Sequence, residues 1–358
     1  MQIVRESIFV SAIRSFFNSF LAVLGVLIAL ILVAILVSSF SSPYQVEDDF
    51  IEMRVLPDAN DNTTVLPETV PVILQVDISG VIGMDRLTGD SIEAFLRASR
   101  KGVFKNNRVK GVLLYIDSPG GTAIDSDRIY QALMRYKAAF NVPVYAYTPG
   151  FCASGGYMVA CAADKIYANA SSVVGSVGVV WGLGFNFWNF MQTHGIDAVT
   201  LSAGLDKQKY PTFTKAEPGS YNDLINVVKE SYVQFTGLVA TSRSTHGLTT
   251  DALITTYGAR VYTGMTAEKN GYVDNGNAYY TEVLSDLVKT LNLDSSPYQV
   301  IQLNCKRSAL KDLVSNKLSL WLDETKRALF GLKSEGRFSN TLLYYYEPQD
   351  RFNQTLCN

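Results

Sequence analysis

Histidine is nearly missing from this chain: His194 and His246 are the only 2, so a histidine-rich metal site is excluded. Cysteine is scarce as well. The 4 present (Cys152, Cys161, Cys305 and Cys357) form no CxxC and no paired spacing, which leaves no basis for a zinc site or a disulfide framework. Cys152 and Cys161 lie in an apolar stretch and are expected to pack as small hydrophobes. Positive charge is not in excess either, with a net charge of -2 and Lys and Arg scattered rather than striped, which argues against a nucleic-acid partner. Neither G-x-G-x-x-G nor a GK[ST] ending occurs, so phosphate binding has little support, and no cofactor is expected. What is present is apolar bulk: 358 residues, 47% hydrophobic and 18% charged, are enough for one large or two medium domains with a core.

One long uncharged run stands near the amino terminus. No charged residue occurs from Ser15 to Val46, and Phe20 to Val37 is almost wholly apolar, close to the roughly 20 residues that span a bilayer. Arg5 and Arg14 precede the run and Glu47, Asp48, Asp49 and Glu52 follow it, so the expected orientation leaves residues 1–15 in the cytoplasm and everything after the helix outside. The apolar core exceeds that of a cleavable signal peptide, and Ser39-Phe40-Ser41 only faintly resembles a cleavage exit, so an uncleaved anchor over residues 16–40 is expected. Residues 41–69 are rich in Asp, Asn, Thr and Pro without apolar periodicity and read as a tether.

A folded body follows, expected over residues 70–290. Val70 to Ile78 is a short, nearly continuous apolar run ended by Ser79-Gly80, which suits a strand buried on both faces. A helical stretch near Ser91 to Arg100 comes next, then a second apolar run at Val109 to Ile116 ending in Asp117-Ser118-Pro119-Gly120-Gly121. A helix around Ile124 to Lys137 puts Ile129, Leu133 and Tyr136 on one face, and Pro143 to Tyr147 makes another strand. Strands alternating with helices at this spacing predict βαβ units, right-handed crossovers and a parallel sheet, an α/β fold. Residues 291–358 form a C-terminal extension whose 308–332 stretch reads as amphipathic helix, while the aromatic tail at Leu342 to Pro348 is unassigned.

Two stretches carry the chemistry. In Cys152-Ala153-Ser154-Gly155-Gly156-Tyr157 a serine sits where strand and turn give way to an apolar helix, and in Ala203-Gly204-Leu205-Asp206-Lys207 a lysine follows a glycine turn. A serine needs a base nearby to act as a nucleophile. A lysine can be that base once neutral, a state that burial or cationic neighbours favour by lowering a lysine's pKa from about 10.4. Ser154 could also merely N-cap the helix. Gly120-Gly121, between a strand's carboxyl end and a helix's amino end, could present N–H groups to an oxyanion or simply relieve a tight turn. His194 is the plausible histidine for a Ser-His-Asp arrangement, though Gly195 after it suits a helix cap.

The ordered blocks IDSPGG, CASGGYMVACAADKIYA, SVVGSVGVV, AGLDK and ARVYTGMTAEKNGYVD resemble the signal peptide peptidase A family of membrane-anchored serine proteases, from about Val70 to Asp274. That resemblance implies a Clp/crotonase-like fold of repeated ββα units after a single N-terminal transmembrane helix. It implies Ser154 as nucleophile, Lys207 as general base, Ser176 as a lysine-orienting hydroxyl, and Gly155 with Gly120 or Gly121 as oxyanion-hole donors, with no metal. It also implies a homo-oligomeric ring in which one site takes its serine and lysine from adjacent subunits. Its substrates would be cleaved signal peptides and other apolar peptides. Its location would be the bacterial inner membrane, single-pass, with the catalytic part extracytoplasmic. The Trp181 to Trp188 run is a candidate groove lining and equally suits core or subunit contact. Against this stand a non-catalytic crotonase-like scaffold and a Ser-His-Asp peptidase using His194.

Overall fold

The computed structural model describes residues 8–40, residues 51–305 other than Leu183, Leu205, Asp206, Gln208 and Lys209, and residues 343 and 344. The chain divides into two units, Met1–Phe50 and Ile51–Asn358. In the first, α1 is one helix, Ile8–Phe40, whose described side chains, residues 13–29, are all exposed. Among the described residues no helix is long and apolar enough to cross a membrane. The side chains of residues 30–40, the second part of the expected anchor, lie outside the described residues.

In the second unit the elements run β1 (Ile51–Leu56), β2 (Val72–Ser79), α2 (Gly89–Ala98), β3 (Val109–Asp117), β4 (Gly121–Thr122), α3 (Ala123–Phe140), β5 (Val144–Thr148), β6 (Phe151–Ala153), α4 (Gly155–Ala160), β7 (Lys165–Ala168) and β8 (Val173–Gly175). Then come α5 (Trp188–Thr193), α6 (Asn222–Ser242), α7 (Thr250–Ala252), β9 (Val261–Thr263), α8 (Gly264–Lys269), α9 (Tyr280–Thr290), β10 (Gln299–Cys305) and β11 (Leu343–Tyr344). The main sheet has the order β1-β10-β2-β3-β5-β7, parallel throughout except for the antiparallel β1–β10 pair at its edge. β1 falls inside the stretch read as tether: Ile51-Glu52-Met53-Arg54-Val55-Leu56 has the β-branched and apolar content to pair, but that pairing needs a partner more than two hundred residues away.

The continuous apolar runs are explained by burial on both faces of the sheet. Alternate residues of β2 and β3 enter opposite cores, with Leu74, Val76, Ile78, Val112, Leu114 and Ile116 on one side and Ile73 and Leu113 on the other. The first face is covered by α2, α3, α4 and α6, and the second by α9 through Val283, Leu284, Leu287 and Val288. Side-chain caps start α2 and α3: Thr88 accepts from the Ser91 N–H and Thr122 from the Asp125 N–H. Asn141, left-handed at φ 49°, ends α3 just before Pro143. Ile129, Leu133 and Tyr136 are all buried, as their spacing predicts, and so are Cys152 and Cys161. The 308–332 stretch expected to be amphipathic helix lies outside the described residues.

At the carboxyl ends of the main strands the chain turns into a second, shorter set of pairings. Ile82 bridges Gly121, Ser118 bridges Cys152, β6 pairs with β8 in parallel, and β8 pairs with β9 antiparallel. The order β3-β4-α3 followed by β5-β6-α4 is thus a ββα unit used twice, and each short second strand sits above the sheet. This upper layer carries the candidate site.

Candidate active site

Ser154 occupies the junction between β6 and α4. The strand before it is held by Asp117, whose Oδ1 accepts the Phe151 N–H at 2.8 Å, and by Ser118, whose N–H donates to the Phe151 carbonyl at 2.7 Å. The Ser154 N–H then donates to the Gly175 carbonyl at 2.8 Å, and its own carbonyl accepts the Met158 N–H at 3.0 Å. Between these bonds the residue takes φ 54° and ψ −121°, a conformation that L-residues avoid. Its side chain makes no capping bond to the helix it opens. The N-cap reading of this serine therefore fails. A hydroxyl held on a strained strand-to-helix turn and not spent on the backbone is the arrangement that presents a nucleophile.

The two glycines after it are required by packing. A Cβ on Gly155 would collide with Ser126 Oγ and lie 3.4 Å from the Gly121 nitrogen, and one on Gly156 would lie 2.9 Å from the Ser118 carbonyl oxygen. A Cβ on Gly121 would strike the Ile82 backbone. The amino end of α4 is in this way pressed against the 118–126 segment, and the Gly121 nitrogen stands beside Gly155. The Gly120 N–H donates to Ser118 Oγ at 3.2 Å, while Ser118 Oγ itself donates to the Gly80 carbonyl at 2.6 Å, and Gly121 pairs with Tyr344 of β11.

Both ends of α4 are anchored. Tyr157 Oη donates to the Tyr272 carbonyl at 2.8 Å, and Ser242 Oγ to the Cys161 carbonyl at 2.9 Å. The Tyr272 segment is fixed in turn by Arg243, which is 2% exposed and donates through Nε to the Gly271 carbonyl and through Nη1 to Asp274 Oδ2 at 2.8 Å. Asp274 also accepts the Ile166 N–H at 2.8 Å and faces His246 Nε2 at 3.0 Å. Burial pushes the thiols of Cys152 and Cys161 up, the latter to about 12, so both stay protonated beside the serine.

The other expected site residues are placed as follows. Ser176, half-buried at φ 53°, directly follows the Gly175 whose carbonyl receives the Ser154 N–H, and its own N–H donates to the Arg260 carbonyl at 2.7 Å. Ser154, Gly155, Gly121 and Ser176 are therefore one neighbourhood. Lys207 is exposed on a turn closed by its N–H to the Gly204 carbonyl at 3.3 Å, with Gly204 at φ 107°, and among the described residues no hydrogen bond joins it to Ser154. His194 is exposed, caps the end of α5, sets Nδ1 2.8 Å from the Phe190 carbonyl and lies 4.3 Å from the Phe190 ring, with Gly195 left-handed after it. Among the described residues no hydrogen bond joins it to Ser154 either. Trp181, Phe185 and Phe187 are exposed, so this single chain does not use them as core. Sequence reasoning missed Asp117, Ser118, Ser126 and Tyr157. The first two stand in the D-S-P-G-G turn, and an Asp-Ser pair ending a buried strand was the available signal.

A model described as peptidase family S49 matches residues 137–294. A putative protease of Methanocaldococcus jannaschii is 34% identical over 170 residues, which is 48% of this chain and 53% of that protein. A putative signal peptide peptidase of Enterococcus faecium is 27% identical over 289 residues, 76% of this chain and 80% of that one. The chain thus spans about half the length of the first relative and most of the second. Among solved structures, a ClpP1 point mutant from Listeria monocytogenes aligns with a TM-score of 0.38 at 13% identity, covering 59% of this chain and 94% of that chain.

Proposed function

We propose, on the premise that this chain belongs to peptidase family S49, that it is a membrane-anchored serine endopeptidase that cuts signal peptides and other apolar peptides. The observation that carries the reading is the Ser154 turn: a strained, uncapped serine at the start of a helix, with the Gly121 backbone nitrogen packed against Gly155. Ser154 Oγ attacks the peptide carbonyl, and the proton passes to the free amine of Lys207. The negative oxygen of the tetrahedral intermediate is held by N–H groups of Gly155 and of Gly120 or Gly121. The Gly120 N–H is bonded to Ser118 Oγ and Gly121 is paired with Tyr344 of β11, so either donor exchanges an existing partner for the substrate oxygen. Lys207 then returns the proton to the leaving amine, and water hydrolyses the acyl-enzyme by the reverse proton route.

Lys207 on an exposed turn fits a site completed by a neighbouring subunit, with Ser176 receiving the amine. Apolar groups exposed on the same arm, Trp181, Phe185, Phe187, Phe190 and Phe213 among them, support burial against another copy in a homo-oligomeric ring. The repeated ββα order supports a Clp/crotonase-like fold. The uncharged run from Ser15 to Val46, of which Ser15 to Phe40 lies in α1, with Arg5 and Arg14 before it, supports a single pass in a bacterial inner membrane with the peptidase part outside the cytoplasm.

The test is hydrolysis of apolar peptides by the detergent-solubilised chain. Ser154→Ala and Lys207→Ala are each expected to lower kcat by about 10⁴- to 10⁶-fold. Mixing the two inactive variants restores activity if subunits share a site. A Ser154→Ala protein that still turns over peptide at the wild-type rate would end the proposal.

A further inference from the structure

The helix that Ser154 opens is short, and little in it is directional. α4 has six residues, Gly155-Gly156-Tyr157-Met158-Val159-Ala160, all of them buried. The leading N–H groups of a helix have no partner within it, and the Met158 N–H is bonded to the Ser154 carbonyl at 3.0 Å. The direction of the Gly155 N–H therefore follows the tilt and rotation of α4 as a whole. Apolar contacts bury the helix without fixing its rotation, because they are non-directional. Of its side chains only that of Tyr157 can donate a hydrogen bond, and it does so to the Tyr272 carbonyl at 2.8 Å.

The same tyrosine ties α4 to the strand on the other side of the serine turn. Its ring centroid lies 5.3 Å from that of Tyr272, which lies 5.4 Å from that of Tyr262. Tyr262 belongs to β9 and stands opposite Val174 of β8, the strand whose Gly175 carbonyl receives the Ser154 N–H and whose chain continues into Ser176. A column of three packed rings thus runs from the helix carrying Gly155 to the strand pair that holds the backbone of Ser154. Two hydroxyls inside this column differ in kind. Tyr157 and Tyr272 are both 0% exposed, yet Tyr157 Oη is bonded while Tyr272 Oη has no partner among the described residues.

We propose that Tyr157 is a positioning residue for hydrolysis at Ser154: its hydroxyl, held by the Tyr272 carbonyl, sets the rotation of α4 and so aims the Gly155 N–H at the oxygen of the tetrahedral intermediate. Being fully buried, Tyr157 reaches no substrate and acts only through the helix, a role that rests on the peptidase reading above. An oxyanion donor contributes most in the transition state, so misdirecting it lowers kcat and leaves ground-state binding in place.

The test is hydrolysis of an apolar fluorogenic peptide by the detergent-solubilised full chain, comparing wild type, Tyr157→Phe, Tyr272→Phe and Ser154→Ala below the melting point of each. Tyr157→Phe keeps the ring and deletes a bonded hydroxyl; Tyr272→Phe deletes an unbonded one from the same column. Tyr157→Phe is expected to lower kcat by about 10- to 100-fold with KM within about twofold of wild type, and Tyr272→Phe to keep both. A peptide aldehyde, whose hemiacetal oxygen takes the place of the oxyanion, should inhibit Tyr157→Phe with a Ki raised by the same factor as kcat falls, a change that lowered stability alone does not produce. A Tyr157→Phe kcat within about twofold of wild type, or an equal fall in Tyr272→Phe, overturns the positioning role, and hydrolysis that still depends on Ser154 then leaves the peptidase reading intact. A Ser154→Ala protein as active as wild type sinks the peptidase reading and the positioning role together.

Discussion

Asp274→Ala is expected to be among the most damaging single substitutions outside the site, although Asp274 touches neither Ser154 nor any expected partner of it. The carboxylate receives three groups: Arg243 Nη1 at 2.8 Å, the Ile166 N–H at 2.8 Å and His246 Nε2 at 3.0 Å. Arg243 is 2% exposed, and its Nη2 already lacks a partner, so loss of the carboxylate leaves a buried guanidinium held only through Nε to the Gly271 carbonyl. Breaking a buried pair from one side costs about 3–5 kcal/mol because the remaining charge is uncompensated. That loss would lower Tm by roughly 6–20 °C, at about 2–4 °C per kcal/mol for a domain of this size. The assay is urea and thermal denaturation of wild type, Asp274→Ala, Arg243→Met and the double variant. The double is expected to lie well above the sum of the singles, with a coupling of at least about 2 kcal/mol, because removing both charges leaves nothing to solvate. Activity should fall with stability, since this pair holds the Tyr272 segment on which Tyr157 and α4 lean. An Asp274→Ala protein within about 1 kcal/mol of wild type, or purely additive singles, would refute the reasoning.

Two further outcomes follow from burial. Asp77 lies between Gln75 and Gln302, whose Nε2 groups both donate to it, yet burial outweighs those bonds and pushes its carboxyl above the ordinary 3.8. A raised folded-state pKa means the protonated form is favoured on folding, so this contribution to stability is complete below the unfolded value and is lost as pH rises through the folded one. Asp77→Asn, neutral at every pH, should therefore gain stability relative to wild type as pH rises above the ordinary 3.8 in urea titrations, and a difference that is flat with pH would count against this. Ser154→Ala should abolish hydrolysis without destabilising the protein. It removes a hydroxyl on a residue 1% exposed that makes no capping bond, so the unfolding free energy should equal that of wild type or rise by up to about 2 kcal/mol. A loss of more than about 1 kcal/mol would mean the hydroxyl is structural.

Much was legible in the chain as written. The apolar runs at Val70–Ile78, Val109–Ile116 and Pro143–Tyr147 correspond to β2, β3 and β5 within two residues, because a strand buried on both faces must be apolar along its whole length. Turn residues mark α3 equally well, since Thr122 and Asn141 act through their own side chain and backbone and need no distant partner. Ser154 and its two glycines are legible for the same local reason: a serine before Gly-Gly at a strand-to-helix change predicts its own turn.

Pairings across the chain were not legible. β1 reads as tether because its strand character is satisfied only by β10, and β11 has no sequence signal because two residues have no periodicity to read. The partners of Gly120 and Gly121, Ser118 Oγ for the first and Tyr344 of β11 for the second, are likewise invisible in the spacing. The Asp274–Arg243–Ile166 junction joins residues whose separations in sequence run from tens to over a hundred. Sequence by itself determined the main buried strands, the helices between them and the serine turn, since those depend on neighbours a few residues away. Only the tertiary structure decided which edges meet, which N–H groups remain for a ligand and which charge is buried with which, because those are properties of distances between segments that no local rule sets.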